Sequence, residues 1–316
     1  MGTFKLHRLD SRSIVSSSDE IILFSCVRNE ILRLPYFLDY YRSLGISKFI
    51  FVDNDSEDDT RDYLLSQSDV HLFATSESYA QNNYGVAWLT SLLKEYGTNH
   101  WTLTLDADEL LIYPYCEQIG LCEFTKFLDA AGSDALVTFM LDMYSCKPIA
   151  LTKYASGEPF RNVCNYFDTG NYVRDAAGVP VRGGVRHRLF WETREREKPS
   201  PFLKKIPLVR WRYGLYYQLS THIISDVKLS PVTGALQHFK FFSDFYVLAK
   251  RESERKEHWD GGAQYAAYWD TLKNIPDLSG HHEGSVCYEN SHQLVQLGLI
   301  QVTDSYADFA KRLVGN

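Results

Sequence analysis

The chain has 316 residues, 45% hydrophobic and 23% charged, with a formal net charge of −7 and an isoelectric point of about 5.8. That length suits one large α/β domain, or one domain with an extension. The acidic balance argues against nucleic-acid binding through a broad basic surface, and no run of about 18 apolar residues is present to span a bilayer.

Residues 1–18 read as a polar lead-in without the apolar core of a signal peptide. Ile21–Val27 (IILFSCV) is a short continuous apolar run of the kind that forms a buried parallel strand. Pro35 opens a helix in which Leu34, Phe37, Leu38, Tyr41 and Leu44 fall at helical spacing, and Gly45 is placed to end it. Lys48–Val52 is a second buried strand. It runs into DNDSEDDT, where Ser56 is expected to cap a helix beginning near Glu57. Val70–Ala74 is a third strand, Leu89, Leu92, Leu93 and Tyr96 mark a helix ended by Gly97, and Trp101–Leu105 is a fourth strand. This alternation predicts an α/β fold, with a doubly wound, mostly parallel sheet covered by helices on both faces.

The pattern then loosens. Ala135–Met140 reads as a strand leading into Asp142, and residues 145–200, rich in Gly, Pro, Arg and Asn, are expected to form long loops. Strand-like pieces resume over 203–240, and from Ser243 the chain reads helical. The expected organisation is a lead-in (1–18), a main domain (19–242) and a helical C-terminal extension (243–316). Cys26, Cys116, Cys122, Cys146, Cys164 and Cys287 form no C-x-x-C pair. They are expected to be reduced thiols of a cytoplasmic protein rather than zinc ligands.

In open parallel sheets, ligands bind at the carboxyl ends of the strands. Three polar clusters sit at such ends: Arg28-Asn29-Glu30, Asp53-Asn54-Asp55 and Asp106-Ala107-Asp108. They should converge on one cleft. The acidic turn has three readings: helix capping, an acid/base pair as in glycoside hydrolysis, or a grip on a hard divalent cation that also holds substrate phosphates. Acids two apart on an extended strand face opposite ways, which disfavours the second reading, whereas a turn lets them converge. The plain alternatives for the other clusters are a polar loop and a surface turn.

CVRNEILRLPYFLDYYRSLGISKFIFVDNDSEDDT, followed by WTLTLDADELLIY, resembles the bacterial branch of the family 2-type glycosyltransferases of GT-A fold. The likeness covers roughly residues 20–115. It continues more weakly through GGVRHRLFW, PFLKKIPLVRW, TH and ALQHFKFF. The resemblance implies a nucleotide-binding half (19–115) and an acceptor half (116–242). It also implies metal-dependent transfer of a sugar from a nucleoside-diphosphate sugar, UDP-sugars favoured, to a hydroxyl of a glycan or glycolipid, with inversion. The setting would be bacterial surface-glycan synthesis, in the cytoplasm or at the inner face of the membrane as a peripheral contact.

By the same resemblance, Arg28, Asn29 and Glu30 lie near the nucleotide, and Asp53, Asn54 and Asp55 face base and ribose. Asp106 and Asp108 hold Mn2+ or Mg2+ together with the diphosphate, Asp108 being the direct ligand, and Glu109 braces the turn. In extended His238-Phe239-Lys240, His238 and Lys240 share a face. Analogy with other GT-A enzymes makes His238 a metal ligand and Lys240 a diphosphate contact; a hydrogen-bonded core histidine is the alternative. His222 is a similar, fainter case. Arg182, Arg186 and Arg188 either grip phosphate or an acidic acceptor, or form a solvated loop. Asp142, ending a strand at the same sheet edge, is the candidate catalytic base, with Asp168 and Glu283 as substitutes; a turn-capping role competes. Two other functions remain. One is a catalytically silent glycan-binding or scaffold protein of this fold. The other is a nucleotidyltransferase making a nucleotide sugar, against which the glycine-free loop VRNEILRLP argues.

Overall fold

The structure, a computed structural model, describes residues 4–17, 19–192, 196 and 198–315. The first half interleaves strands β1 (His7–Arg8), β2 (Ile21–Val27), β3 (Lys48–Asp53), β4 (Val70–Ala74), β5 (Trp101–Thr104), β6 (Glu109–Ile112) and β7 (Ala135–Asp142) with helices α1 (Leu34–Ser43), α2 (Thr60–Ser66), α3 (Val86–Leu92) and α4 (Leu121–Ala130). A stretch of short elements follows: α5 (Phe160–Val163), β8 (Tyr166–Asp168), β9 (Tyr172–Arg174), β10 (Pro180–Gly183) and α6 (Gly184–Phe190). Then come β11 (Lys204–Arg210), β12 (Tyr217–Leu219), β13 (Ile223–Ile224) and β14 (Leu229–His238). The chain closes with α7 (Phe245–Arg255), α8 (Ala263–Asn274), β15 (Ser285–Cys287), α9 (Ser291–Gln296) and α10 (Asp304–Val314).

A central sheet runs β1-β4-β3-β2-β5-β11-β7-β14-β6. The neighbours β4, β3, β2 and β5 pair in parallel, as do β7 and β14. The fold is therefore mixed α/β, with a large, mostly parallel sheet flanked by helices, in line with the alternating pattern. Three strands run against it: β1 beside β4 and β6 beside β14 at the two edges, and β11 within the sheet. β11 runs antiparallel between β5 and β7. Its apolar run, which includes IPLVR, packs equally well in either direction, so the sequence carried no signal for its orientation.

Apolar runs buried on both faces explain why β2 through β5 read as continuous hydrophobic segments. Helix α1 lays Leu34, Phe37, Leu38 and Tyr41 against them. Its Tyr41 hydroxyl donates to Glu109 O (3.0 Å) and accepts from Leu111 N–H (2.9 Å), which clamps β6 just beyond the acidic turn.

Three expectations are corrected. The helix after DNDSEDDT begins at Thr60, not near Glu57, and Ser56 Oγ accepts the Asn29 N–H (3.0 Å) instead of capping it. Residues 145–200 are not continuous loop, because β8–β10, α5 and α6 fall there. The segment 243–316, expected to be a helical extension, also holds β15, which pairs with β8, and its helices α7 and α8 contribute to the lining of the central cavity. No helix among the described residues is long and apolar enough to cross a membrane.

Candidate active site

The acidic turn is held by the chain's own groups. β5 ends at Thr104, the chain turns at 106–108, and β6 starts at Glu109. Glu109 N–H donates to Asp106 O (3.1 Å), and Asp106 N–H donates back to Glu109 Oε2 (3.2 Å), so the turn closes on its own side chain. Lys205 of β11 reaches in from the next strand, 2.6 Å from Glu109 Oε1 and 2.7 Å from Asp106 Oδ2. Both Lys205 and Glu109 are buried. Burial raises the Glu109 carboxyl, with Lys205 opposing; the two nearby acids raise the lysine against the burial that would lower it. Glu109 thus braces the turn, with both oxygens occupied.

Sheet register places the other half. On β14, His238 lies opposite Glu109 of β6 and opposite Asp142 of β7. Its Nδ1 is 2.5 Å from Asp142 Oδ1, and its Nε2 is 3.3 Å from Asp108 Oδ2. A carboxylate only accepts, so without an ion both ring nitrogens carry protons, Nδ1 toward Asp142 and Nε2 toward Asp108; a cation beside Asp108 would take the place of the Nε2 proton. Arg186 of α6 pairs with the same Asp142 oxygen. Burial alone would raise the Asp108 carboxyl; the charge and hydrogen bond of His238, with Lys240 and Arg33 behind, hold it well below the usual range instead. His238 moves the other way: burial lowers it, Arg186 lowers it further, and the two carboxylates outweigh both to raise it.

These groups fit a divalent cation. Asp108, Glu109 and His238 each offer a ligand atom, all within 4.8 Å of one another, and could hold a metal ion. Two ligands about 2.1 Å from one ion at a right angle lie about 3 Å apart, close to the 3.3 Å between Asp108 Oδ2 and His238 Nε2. The carboxylate behind the opposite ring nitrogen is the arrangement that orients metal-bound histidines. Glu109 is already held by Lys205 and the Asp106 N–H, and the more exposed Asp106 shares Lys205 (2.7 Å), so Asp108 and His238 are the donors least tied to the turn.

The turn opens into a cavity of about 990 Å³. Arg28, Glu30, Arg33, Asn54, Lys205, His222, Lys240, Arg255 and Tyr265 are among the residues that line it. Glu30 is 3.5 Å from Arg33, and burial pushes its carboxyl up to about 7 although Arg33 opposes this. Lys240 stands 3.9 Å from Asp108 and 3.3 Å from the Tyr265 hydroxyl. Arg28, Glu30, Asn54, Asp106, Asp108, His238 and Lys240 therefore meet at one cavity, as the strand-end argument expected.

Other assignments need correction. Asp53 is fully buried and held by Arg61 (2.6 Å), so its carboxylate serves the fold and does not face the cavity. Asn29 spends Oδ1 on Glu57 N–H (2.7 Å), at a φ of 56° that fits a tight turn. Asp55 is solvent-facing, 3.7 Å from Arg28. Of that triplet only Asn54 borders the cavity. Its amide donates to Thr75 O and Glu77 O while Arg255 approaches Oδ1 at 3.4 Å. Asp142 does not border the cavity either; locked between Arg186 and His238, its carboxyl held low against burial, it is a support for His238 and not a free base. Asp168 is consumed by Arg188 and the Tyr144 hydroxyl, and Glu283 lies away from the cavity lining. Sequence reasoning missed Arg33, Lys205 and Arg255. Arg33 also pairs with Asp244 (2.9 Å), Lys205 with Asp106 and Glu109, and Arg255 with Asn54, all far along the chain, and no local pattern marks such partners.

No protein-family model and no curated protein matches the chain. Among solved structures it is similar to the crystal structure of HddC from Yersinia pseudotuberculosis, at 8% identity and a TM-score of 0.29 over 71% of this chain and 79% of that one. A likeness that slight carries no argument for fold or function.

Proposed function

We propose that the protein is a metal-dependent glycosyltransferase of GT-A-like fold. It would move a sugar from a nucleoside-diphosphate sugar, UDP-sugars favoured, to a hydroxyl of a glycan or glycolipid, with inversion. Synthesis of a bacterial surface glycan on the cytoplasmic side of the membrane is the setting this reading favours. The observation that supports it best is the meeting of Asp106, Asp108 and carboxylate-backed His238 beside Lys240, at the strand-end mouth of a cavity large enough for a nucleotide sugar.

Bound Mn2+ or Mg2+ would neutralise charge on the diphosphate as it leaves. Asp106, Asp108 and His238 would hold that ion. Lys240, 3.9 Å from Asp108, would contribute a positive charge on the same side. Arg28 and Asn54, which also line the cavity, would lie toward ribose and base.

A thermal-shift panel of UDP-, GDP-, CDP- and TDP-sugars, with and without Mn2+, tests this directly, because a ligand that binds only the folded chain raises its melting temperature. One nucleotide should stabilise the protein in a Mn2+-dependent way, and the sugar form should be turned over. Absence of any Mn2+-dependent shift across the panel sinks the reading.

A further inference from the structure

With Asp142 withdrawn behind His238, the proposed transfer lacks a proton acceptor. Among the described residues, the carboxylates bordering the cavity are all engaged by cations. Glu30 faces Arg33 at 3.5 Å, Asp106 faces Lys205 at 2.7 Å and Asp108 faces His238 at 3.3 Å. Glu252 faces Arg255 at 3.2 Å, and Asp260 pairs with Lys198. Two of the bordering histidines are likewise taken: His238 lies between two carboxylates, and His258 Nε2 is 3.1 Å from Glu252. His222 differs. Its Nδ1 lies 2.6 Å from the Lys204 carbonyl. A carbonyl cannot donate, so Nδ1 carries the proton and Nε2 keeps its lone pair. Among the described residues Nε2 has no hydrogen-bond partner, and the residue borders the cavity.

Its position is fixed relative to the acidic turn. Ile206 N–H donates to Thr221 O (2.7 Å), so the loop between β12 and β13 is tied to β11 on either side of Lys205. The next residue along from the carbonyl that holds His222 is therefore the lysine that holds Asp106. The edge of Phe202 packs on the ring at 5.7 Å between centroids, limiting its rotation.

We propose that His222 is the catalytic base of the transfer, its Nε2 accepting the proton of the acceptor hydroxyl. The proposal rests on the glycosyltransferase reading. In the step, the acceptor O–H bond breaks and its proton goes to Nε2. The hydroxyl oxygen forms a bond to the sugar C1, and the C1–O bond to the diphosphate breaks with its electron pair staying on the diphosphate. Burial, with the Lys205 charge, lowers the His222 pKa to about 4. That matches the ordinary basicity of an aspartate: the ring is neutral at pH 7 and as strong a base as the carboxylate common in such roles. Asp106 and the Lys204 carbonyl pull the other way, and Arg186 adds to the lowering.

Two measurements decide it. The first needs no activity: in histidine-labelled protein, nitrogen NMR should show His222 with its proton on Nδ1 at pH 7 and a titration midpoint far below 6. A proton on Nε2, or a midpoint near 6.5, overturns the proposal. The second compares wild type with His222→Asn, whose amide can still donate to Lys204 O but cannot take a proton. UDP affinity in Mn2+ should stay within about twofold, while release of nucleoside diphosphate from the turned-over sugar falls by about 100-fold or more. Near-wild-type turnover in His222→Asn excludes the base role. If the tautomer is as expected but wild type turns over no member of the sugar panel, the transfer reading itself fails, and the base role falls with it.

Discussion

Asp142 and His238 form the innermost contact of the site: Oδ1 and Nδ1 are 2.5 Å apart, and the ring's other nitrogen faces Asp108. A carboxylate in that place fixes the tautomer and the ring plane, and raises the electron density that Nε2 can offer a cation. Asp142→Asn should therefore weaken Mn2+ binding by about 10- to 100-fold without abolishing the site. Titration of Mn2+ by calorimetry checks it, and an unchanged affinity would show that the pair is structural only.

Asp108→Asn removes the charge that His238 faces, and Asp106→Asn removes the exposed acid of the turn. Both variants should fold, since Glu109 and Lys205 still close the turn, and both should lose Mn2+-dependent turnover. The measurement is nucleoside-diphosphate release with Mn2+ and in excess chelator. Wild-type rates in either variant would remove these residues from the metal assignment.

Lys205→Met tests the brace. It leaves Glu109 buried with its cation gone, a change that costs about 3–5 kcal/mol when a buried pair loses one member. Chemical denaturation should show that loss, and adding Glu109→Gln should restore part of it, because the second change removes the stranded charge.

Gly183 sits at φ 122° where β10 meets α6, and a Cβ there would lie 1.9 Å from Asn171 O. Gly183→Ala should cost at least about 2 kcal/mol and displace α6, which carries Arg186 to Asp142. Thermal melting reads the stability, and the Mn2+ affinity reads the displacement.

Glu252 supplies a pH test. Burial would raise its carboxyl, but His258, Arg255 and Arg251 bring it down to about 2 from an ordinary 4.5. A depressed acid contributes stability that is fully present above its unfolded pKa and is lost as pH falls through the folded one. The contribution, on the order of 3 kcal/mol, should vanish between about pH 4.5 and 2. Glu252→Gln should flatten that limb of the stability curve; an unchanged acid limb would discount the ion pairs around it.

The strand ends were legible because each cluster directly follows an apolar run, and an apolar run bounded by polar residues is a local signal. Glu109 as a brace came with the family resemblance, whereas His238 sharing a face with Lys240 was readable from a spacing of two residues. Asp53 was misread because a carboxylate at a strand end looks the same in sequence whether it faces a ligand or an arginine eight residues on. Asp142 was misread for a similar reason: the pattern located it at the right edge, but Arg186 and His238, which occupy it, come from distant segments.

The sequence by itself determined the alternating α/β order, the parallel run of β2 to β5 and the acidic turn at the mouth of β5, because period and turn chemistry act between near neighbours. Tertiary structure alone decided which acids stay free to meet a ligand. The insertion of β11 beside β5 brings Lys205 to Asp106 and Glu109, and the pairing of β14 with both β6 and β7 sets His238 between Asp108 and Asp142. Those pairings depend on the register of strands separated by about a hundred residues, and the charge of a buried carboxylate is settled only by the cation that such a register delivers.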